Sequence, residues 1–498
     1  METETPSPEL LAQVPKAPTI KATRPLKPVV ADAERETDLT KLHRKTAAAL
    51  RTDGGAARLF REVFGDIVRY DHSRRRWLVW DDHRWKPDDD AGVNRLAFDL
   101  AALVRQAAGN DYVGLGDDER KKLFGWGLDL DKRPRHEALL ALARTLEPIT
   151  DSGRGWDAAT GSVGAPNGVI DLRTGELRDG RPSDRITKQV AVDYDPEADC
   201  SRWDAFVREV VGDEETVTYL QRLAGYSLTG EASEDKLVFL MGHGGNGKTT
   251  LLNVLRRIAG DYAQEVGAAA LLDDRASAHT TEVADLEGSR LATCEEIGDA
   301  KLNTNRLKQI SGGSPITARR MKQDTRTFDP TWQLWITTNG LPRANDNARA
   351  FWRRVVAIDF PNDFDPTDEP DLEDKLSAEL PGILAWIVRG AVAYYENGLG
   401  TLPAAIATHT AAYRQDSDPL QPVFEAGYLV QDETAWTSSA ILHGAYLRWT
   451  DTAQVPAAFR LGTKGFSVAL SGQFNSKRQA QDGTTARGFF GVRVGEGK

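Results

Sequence analysis

The stretch "LVFLMGHGGNGKTTLLNVLRRI", Leu237 to Ile258, constrains this chain more than any other. Leu237 to Leu240 is a short apolar run suited to a buried strand of a parallel sheet. Gly242-x-x-x-x-Gly247-Lys248-Thr249 follows at once, and the residues after it repeat their apolar positions with helical period. Gly242, Gly244, Gly245 and Gly247 let backbone N–H groups curl around phosphate oxygens. Asn246, Thr249 and Thr250 complete the bend, and the helix N-terminus adds partial positive charge. Lys248 is expected to reach the β- and γ-phosphates of ATP, and the Thr249 hydroxyl to ligate Mg²⁺. The motif alone leaves kinase, motor and switch open.

Hydrolysis also needs a carboxylate to hold the metal and a group to orient water. In "SRLATCEEIGD", the apolar Leu291 to Cys294 runs into Glu295 and Glu296. That places two acids at the carboxyl end of a buried strand, where ligands of open α/β sheets bind. One acid suits the metal and the other the base; Glu295 is the expected metal ligand. "WQLWITTNGLP" is a third apolar strand, ending in Thr337, Thr338 and Asn339, and Asn339 is a candidate sensor of the γ-phosphate. In "NARAFWRRVVAIDF", Arg353 and Arg354 precede another apolar strand with no acid close in sequence. Either an intramolecular ion pair or a phosphate on a neighbouring subunit would satisfy them.

The formal net charge is −11, yet "SPITARRMKQDTRTF" holds Arg319, Arg320, Lys322 and Arg326 against one acid, Asp324. Two short strands with a tip near Lys322 are expected, facing either solvent or a polyanion. From Thr437 to Lys498 there are eight Lys or Arg and three Asp or Glu. Helices there are followed by strands around Asp482-Gly483, with Lys464, Lys477, Arg478 and Arg487 as candidate phosphate contacts.

A chain of 498 residues is expected to form about three or four domains of ~100–200 residues. No run approaches the ~20 apolar residues of a membrane span, and no signal peptide is evident. Cys200 and Cys294 make neither a disulfide framework nor a zinc site, so a reducing cytosol is expected. Residues 1–45 read as a disordered tail, broken by prolines from Pro6 to Pro28. "RYDHSRRRWLVWDDHRW" reads as antiparallel strands with Trp77, Trp80 and Trp85 as anchors. Arg74, Arg75 and Arg76 form a basic turn. Thr174-Gly175 marks a hairpin, and Gly212-Asp213 a helix stop followed by an N-cap. Asp129 and Asp131 in "GLDLDKR" read as a solvated loop rather than a metal cluster.

The order of phosphate loop, Glu-Glu strand, "LKQISGGSPITARRMK", "WITTN" and "FWRRVVAIDF" resembles superfamily 3 helicases of the phage and plasmid primase–helicase family, relatives of the poxvirus primase–helicase. "APNGVIDLRTGEL", "DYDPEADCSRW", "YLQRLAGYSLTG" and "LPGILAWIVRGAVAYYENGL" resemble its flanking segments, so the likeness covers roughly residues 60 to 490. The resemblance implies an α/β fold: an AAA+ P-loop core with a parallel sheet, preceded by a mixed α/β N-terminal domain and a helical collar, and followed by a winged-helix-like C-terminal module. The expected boundaries are 1–45 tail, 46–197 N-terminal domain, 198–232 collar, 233–405 ATPase and 406–498 terminal module. It implies a homo-hexameric ring that uses ATP and Mg²⁺ to unwind duplex DNA, moving 3′→5′, for replication of a phage, plasmid or mobile element in a bacterial cytosol. By the same likeness Lys248, Glu295, Glu296 and Asn339 act at the nucleotide. Arg354, with Arg353 beside it, matches the arginine finger, and the basic hairpin lines the central channel. Single-stranded and forked DNA are the expected partners, with a separate primase possible since no primase domain is read here; no membrane partner is expected. The rival reading is a DNA-stimulated AAA+ ATPase that loads or switches without unwinding.

Overall fold

A computed structural model of the chain describes residues 32–272, 281–297, 301–319, 325–340, 342, 349–364, 369–418, 420–455, 460–471, 473–481 and 484–497. It divides into two units: residues up to Asp81 with Lys86–Gly153, and Asp82–Trp85 with Arg154–Lys498.

The first unit is mostly helical. Helix α1, Asp32–Ala48, occupies the last part of the stretch expected to be tail. The prolines that argue for disorder stop at Pro28, and His43 and Thr46 are buried. Helix α2, Asp53–Phe64, starts where the Thr52 hydroxyl accepts from Gly55 N, a side-chain cap. Strands β1, Val68–Asp71, and β2, Arg76–Trp80, pair antiparallel, as their alternation predicts. Helices α3 (Gly92–Gly109), α4 (Asp117–Leu130) and α5 (Arg133–Ala143) follow, and β3, Thr150–Asp151, pairs parallel with β1. Leu59, Phe60, Leu100, Val104 and Leu123 lie in its core. Arg74 is held by the buried Asp71 at 2.9 Å, so this part of the basic turn is neutralised. Asp129 pairs with Lys132 and Asp131 with Arg105, each as ordinary surface charge.

The second unit opens on a small meander: β4 (Ser162–Ala165), β5 (Gly168–Asp171) and β6 (Glu176–Arg178). The turn between β5 and β6 carries Gly175 at φ +77, the left-handed geometry that the Thr-Gly pair predicts. Trp85 anchors here rather than with Trp77. It is 1% exposed, stands edge-on to Trp156 at 6.0 Å, and its indole N–H donates to Pro182 O. Helix α6, Ser201–Val211, ends at Gly212 with φ +81. Helix α7, Glu214–Thr229, begins where the Asp213 carboxylate accepts from Thr216 N at 2.9 Å.

A five-stranded, wholly parallel sheet forms the centre. Its strands are β7 (Leu237–Met241), β8 (Ala263–Glu265), β9 (Leu291–Cys294), β12 (Gln333–Thr338) and β13 (Val355–Asp359), in spatial order β13-β7-β12-β9-β8. Strands β7, β9 and β12 are buried throughout, which explains the unbroken apolar run of β7 and the largely apolar β9 and β12. Helix α8, Lys248–Ala259, follows β7. Between β9 and β12 the chain makes an antiparallel pair, β10 (Ile316–Ala318) with β11 (Arg326–Phe328). Helix α9, Leu380–Asn397, lies across α7 with their backbones in contact. A Cβ added to Gly225 would sit 2.0 Å from Ala391 N, and one added to Gly390 would sit 2.0 Å from Gln221 O. Trp335 of the sheet donates to Ser227 of α7 at 2.9 Å, tying this pair to the core.

Helix α10, Ala404–Asp416, packs along β13, where the Thr410 hydroxyl accepts a hydrogen bond from Ala357 N at 3.1 Å. The C-terminal residues then form β14 (Leu429–Ser438), α11 (Ser439–Thr452), α12 (Thr463–Ser471), β15 (Ser476–Gln481) and β16 (Thr484–Val494). The three strands are ordered β14-β16-β15, with Leu442, Tyr446, Phe466 and Phe489 in a core of their own. The expected turn residues Asp482 and Gly483 lie outside the described residues.

Candidate active site

Three glycines of the loop after β7 have positive φ: Gly242 at +143, Gly245 at +80 and Gly247 at +84. The approach at two of them is too close for any side chain. A Cβ on Gly242 would lie 2.3 Å from Asn246 Nδ2, and one on Gly247 would lie 2.6 Å from Val210 Cγ1. Gly244 faces open space instead. The loop is thus clasped on its inner side and open on its outer side.

Asn246 works as the clasp. It is 2% exposed and donates from Nδ2 to Phe360 O at 3.0 Å, while Gly245 O accepts from Phe364 N at 2.8 Å. Lys248 folds over the loop. Its ammonium donates to Gly242 O (2.8 Å), His243 O (2.7 Å) and Asn246 Oδ1 (2.6 Å). Burial pushes its pKa down, against the raising effect of Asp359 and Asp363. Thr249 stands exposed at the start of α8, beside the half-buried Thr250.

The register of the sheet carries the neighbouring groups to the same edge. Cys294 pairs with Ile336 and Ile336 with Phe239, so β9 ends two residues short of the end of β7. Glu295 and Glu296 continue from that point towards the level of the phosphate loop. Glu295 Oε1 accepts from Arg256 Nη1 at 2.7 Å, and Arg256 also holds Glu265 at 2.8 Å. Glu296 is exposed, has no hydrogen-bond partner among the described residues, and sits at φ +55. That left-handed geometry costs a non-glycine residue roughly 1–2 kcal/mol. Thr338 pairs with Met241, so the exposed Asn339 emerges from the sheet beside Gly242. Thr338 itself turns back, its hydroxyl donating to Gly340 O at 3.0 Å.

Arg353 and Arg354 lie at the other end of β13. The strand has five residues, roughly 17 Å at the usual rise, which separates them from their own phosphate loop. Arg354 has the intramolecular acid that its sequence neighbourhood hides: Asp235 Oδ2, 3.0 Å away, with Ala350 O accepting a second bond at 2.7 Å. Its side chain is only 12% exposed, whereas that of Arg353 is 62% exposed and 3.7 Å from the same Asp235.

The basic segment forms the expected strand pair, with Thr317 and Thr327 hydroxyls 2.9 Å apart across it. Arg320 and Lys322 lie outside the described residues. Arg319 is exposed, but Arg326 is paired to Glu287 at 2.9 Å, so it adds no free charge. At the C-terminus, Lys464 starts α12, while Lys477 and Arg478 lie on β15; all are exposed and without an ion pair among the described residues. Arg478 pairs across the sheet with Arg487, whose guanidinium lies 3.4 Å from both Ser471 Oγ and Ser476 Oγ. The four C-terminal candidates therefore sit on one helix and the adjoining hairpin. Arg256, Asp235 and the clasping role of Asn246 are not evident in the sequence. Arg256 carries one faint signal, a place on the same helix as Lys248.

Comparison with known proteins adds relatives to this geometry. Residues 57–212 match the family described as "D5 N terminal like", and residues 240–354 match a family of unknown function, DUF5906. The protein named "Putative helicase L207/L206" of Acanthamoeba polyphaga mimivirus is 25% identical over 403 residues, 71% of this chain and 41% of that protein. "Putative helicase 184R" of Invertebrate iridescent virus 6 is 27% identical over 303 residues, 58% of this chain and 30% of that protein. The chain thus spans less than half the length of these relatives. Among solved structures, the apo structure of the NrS-1 C terminal region aligns at a TM-score of 0.43 and 10% identity, over 86% of this chain and 97% of that one. Residues 57–212 thus match the D5 N terminal like family, and the chain is a homologue of viral proteins named helicases.

Proposed function

We propose that the protein is an ATP-driven ring helicase that opens duplex DNA during replication of a virus, plasmid or other mobile element. One observation carries this reading: a phosphate loop on a parallel sheet whose neighbouring strands bring Glu295, Glu296 and Asn339 to the same edge. ATP is the substrate. The loop fits its phosphates, since two glycines are pressed where a Cβ would clash and the outer side is open. Lys248 would exchange its contacts with loop oxygens for phosphate oxygens, and burial keeps it close to them. A bound Mg²⁺ would neutralise charge on the β- and γ-phosphates. The Thr249 hydroxyl and the free oxygen of Glu295 would hold that ion, with Arg256 steadying Glu295. Glu296, strained and without a hydrogen-bond partner among the described residues, suits the base that orients water. Asn339 would hold that water or sense the γ-phosphate.

The edge that carries Arg353 and Arg354 cannot serve the same chain's loop, so a second copy would bring it to the site. The exposed Arg353 is the better finger, and Arg354 anchors it through Asp235. An AAA+ hexamer satisfies this requirement. Its hairpins would place Arg319, Arg320 and Lys322 around one strand, and contact with phosphates makes such binding weaken with salt. The C-terminal strand-helix-helix-hairpin order suits a winged-helix module, with Lys464, Lys477, Arg478 and Arg487 on duplex phosphates. Movement 3′→5′ completes the proposal. Forked DNA with a labelled strand tests it. Displacement should require ATP and Mg²⁺ and stop when either is withheld. DNA-stimulated hydrolysis without displacement would instead establish a loader or switch.

A further inference from the structure

Arg353 and Arg354 share one acid, Asp235, and Asp235 itself is fixed by a network that none of the roles above uses. It lies on the loop of residues 230–236, between α7 and β7, at a φ of +54. A residue other than glycine persists in that left-handed geometry only where its surroundings hold it.

The loop is held at both ends and in its middle. At its start the buried Arg290 donates to Thr229 O at 2.7 Å and occupies the space that a side chain at Gly230 would need. At its end Leu237 N donates to Arg354 O at 2.7 Å, so the loop and the arginine pair lie side by side. Three tyrosines grip the middle. From the end of α9, the Tyr395 hydroxyl donates to Glu231 Oε1 at 2.9 Å and the Tyr394 hydroxyl to Glu231 Oε2 at 3.3 Å. From α7, the Tyr226 hydroxyl accepts from Glu234 N at 3.1 Å. Arg173, between β5 and β6, covers the Tyr395 ring at 5.0 Å. Glu231 is the joint of this bracket, since each of its carboxylate oxygens takes one tyrosine.

We infer that Glu231 is a positioning residue for the arginine finger, an inference that rests on the proposed ring ATPase. Glu231 and its tyrosines hold the loop, the loop aims Asp235, and Asp235 sets the two guanidiniums. The bracket lies at the edge of the sheet that carries Arg353, away from its own phosphate loop, so it serves the nucleotide bound by the neighbouring copy. A finger stabilises developing charge only from the right place, and small displacements are costly there.

Steady-state kinetics of the full chain test this. Glu231→Gln keeps the size of the side chain but leaves one acceptor oxygen for two hydroxyls. It should lower kcat about tenfold or more with the KM for ATP unchanged, because alignment is lost and nucleotide binding is not. Tyr395→Phe removes one hydroxyl, keeps the ring beneath Arg173, and should lower kcat less. Mixed assemblies separate positioning from general damage. Chains of either variant have an intact phosphate loop and a displaced finger. Lys248→Ala chains, which still carry a finger, should therefore restore their activity, and Arg353→Ala chains should not. Unchanged kcat in both variants, recovery with Arg353→Ala chains, or recovery with neither partner overturns the inference. Lys248→Ala and Arg353→Ala chains mixed with each other are the control. If that pair fails to recover, the shared-site reading falls, and the role of Glu231 with it.

Discussion

Lys248 makes three hydrogen bonds to its own loop, and phosphate oxygens would replace acceptors of the same kind. Lys248→Ala is expected to lower ATP hydrolysis at least ~100-fold, because a charge aimed at the transferring group is lost. DNA binding measured by fluorescence anisotropy should persist. Arg256→Ala is a subtler change. It releases Glu295 without touching the loop, and the support of a metal-holding carboxylate is commonly worth ~10–100-fold. Steady-state kinetics should show that loss in kcat, with the KM for ATP nearly unchanged. A fall confined to KM would place Arg256 in nucleotide binding. The loop itself was legible because its glycines, lysine and threonine sit within eight residues. Asp235 as the partner of Arg354 was not, since the two are 119 residues apart in the chain and meet only when β7 and β13 pair.

Helices α7 and α9 pack with glycine against backbone, so the elements tolerate no added carbon. Gly225→Ala is expected to destabilise the second unit by about 1–3 kcal/mol or more, the usual range for overpacking. Urea denaturation followed by tryptophan fluorescence measures it. Element boundaries set by local chemistry were readable: the Gly212 stop and Asp213 cap stand where their residue types place them. So did the strand pair around the basic tip. The charge of that pair was overestimated, because Glu287 neutralises Arg326 from 39 residues upstream. Helix α1 is masked in the sequence by its neighbourhood: the prolines that favour disorder end at Pro28, and α1 itself contains none.

For the whole molecule, Arg353 and Arg354 make opposite predictions. Arg353→Ala should reduce hydrolysis ~10³-fold or more in assembled rings, as removal of an arginine finger does elsewhere, with Tm unchanged. Arg354→Ala should lower Tm by a few degrees, since it strips Asp235 of its partner. Mixing inactive Lys248→Ala and Arg353→Ala chains should restore part of the activity, because some interfaces then contain an intact loop and an intact finger. No recovery in mixed assemblies would place both groups in a single chain's site. The main-chain contact between α7 and α9 has a further effect on such an assembly. Helices that meet only through side chains can slip by changing rotamers, but these two also touch backbone to backbone at Gly225 and Gly390. Their amides should therefore exchange with deuterium at a common slow rate, opening together only when the surrounding core melts.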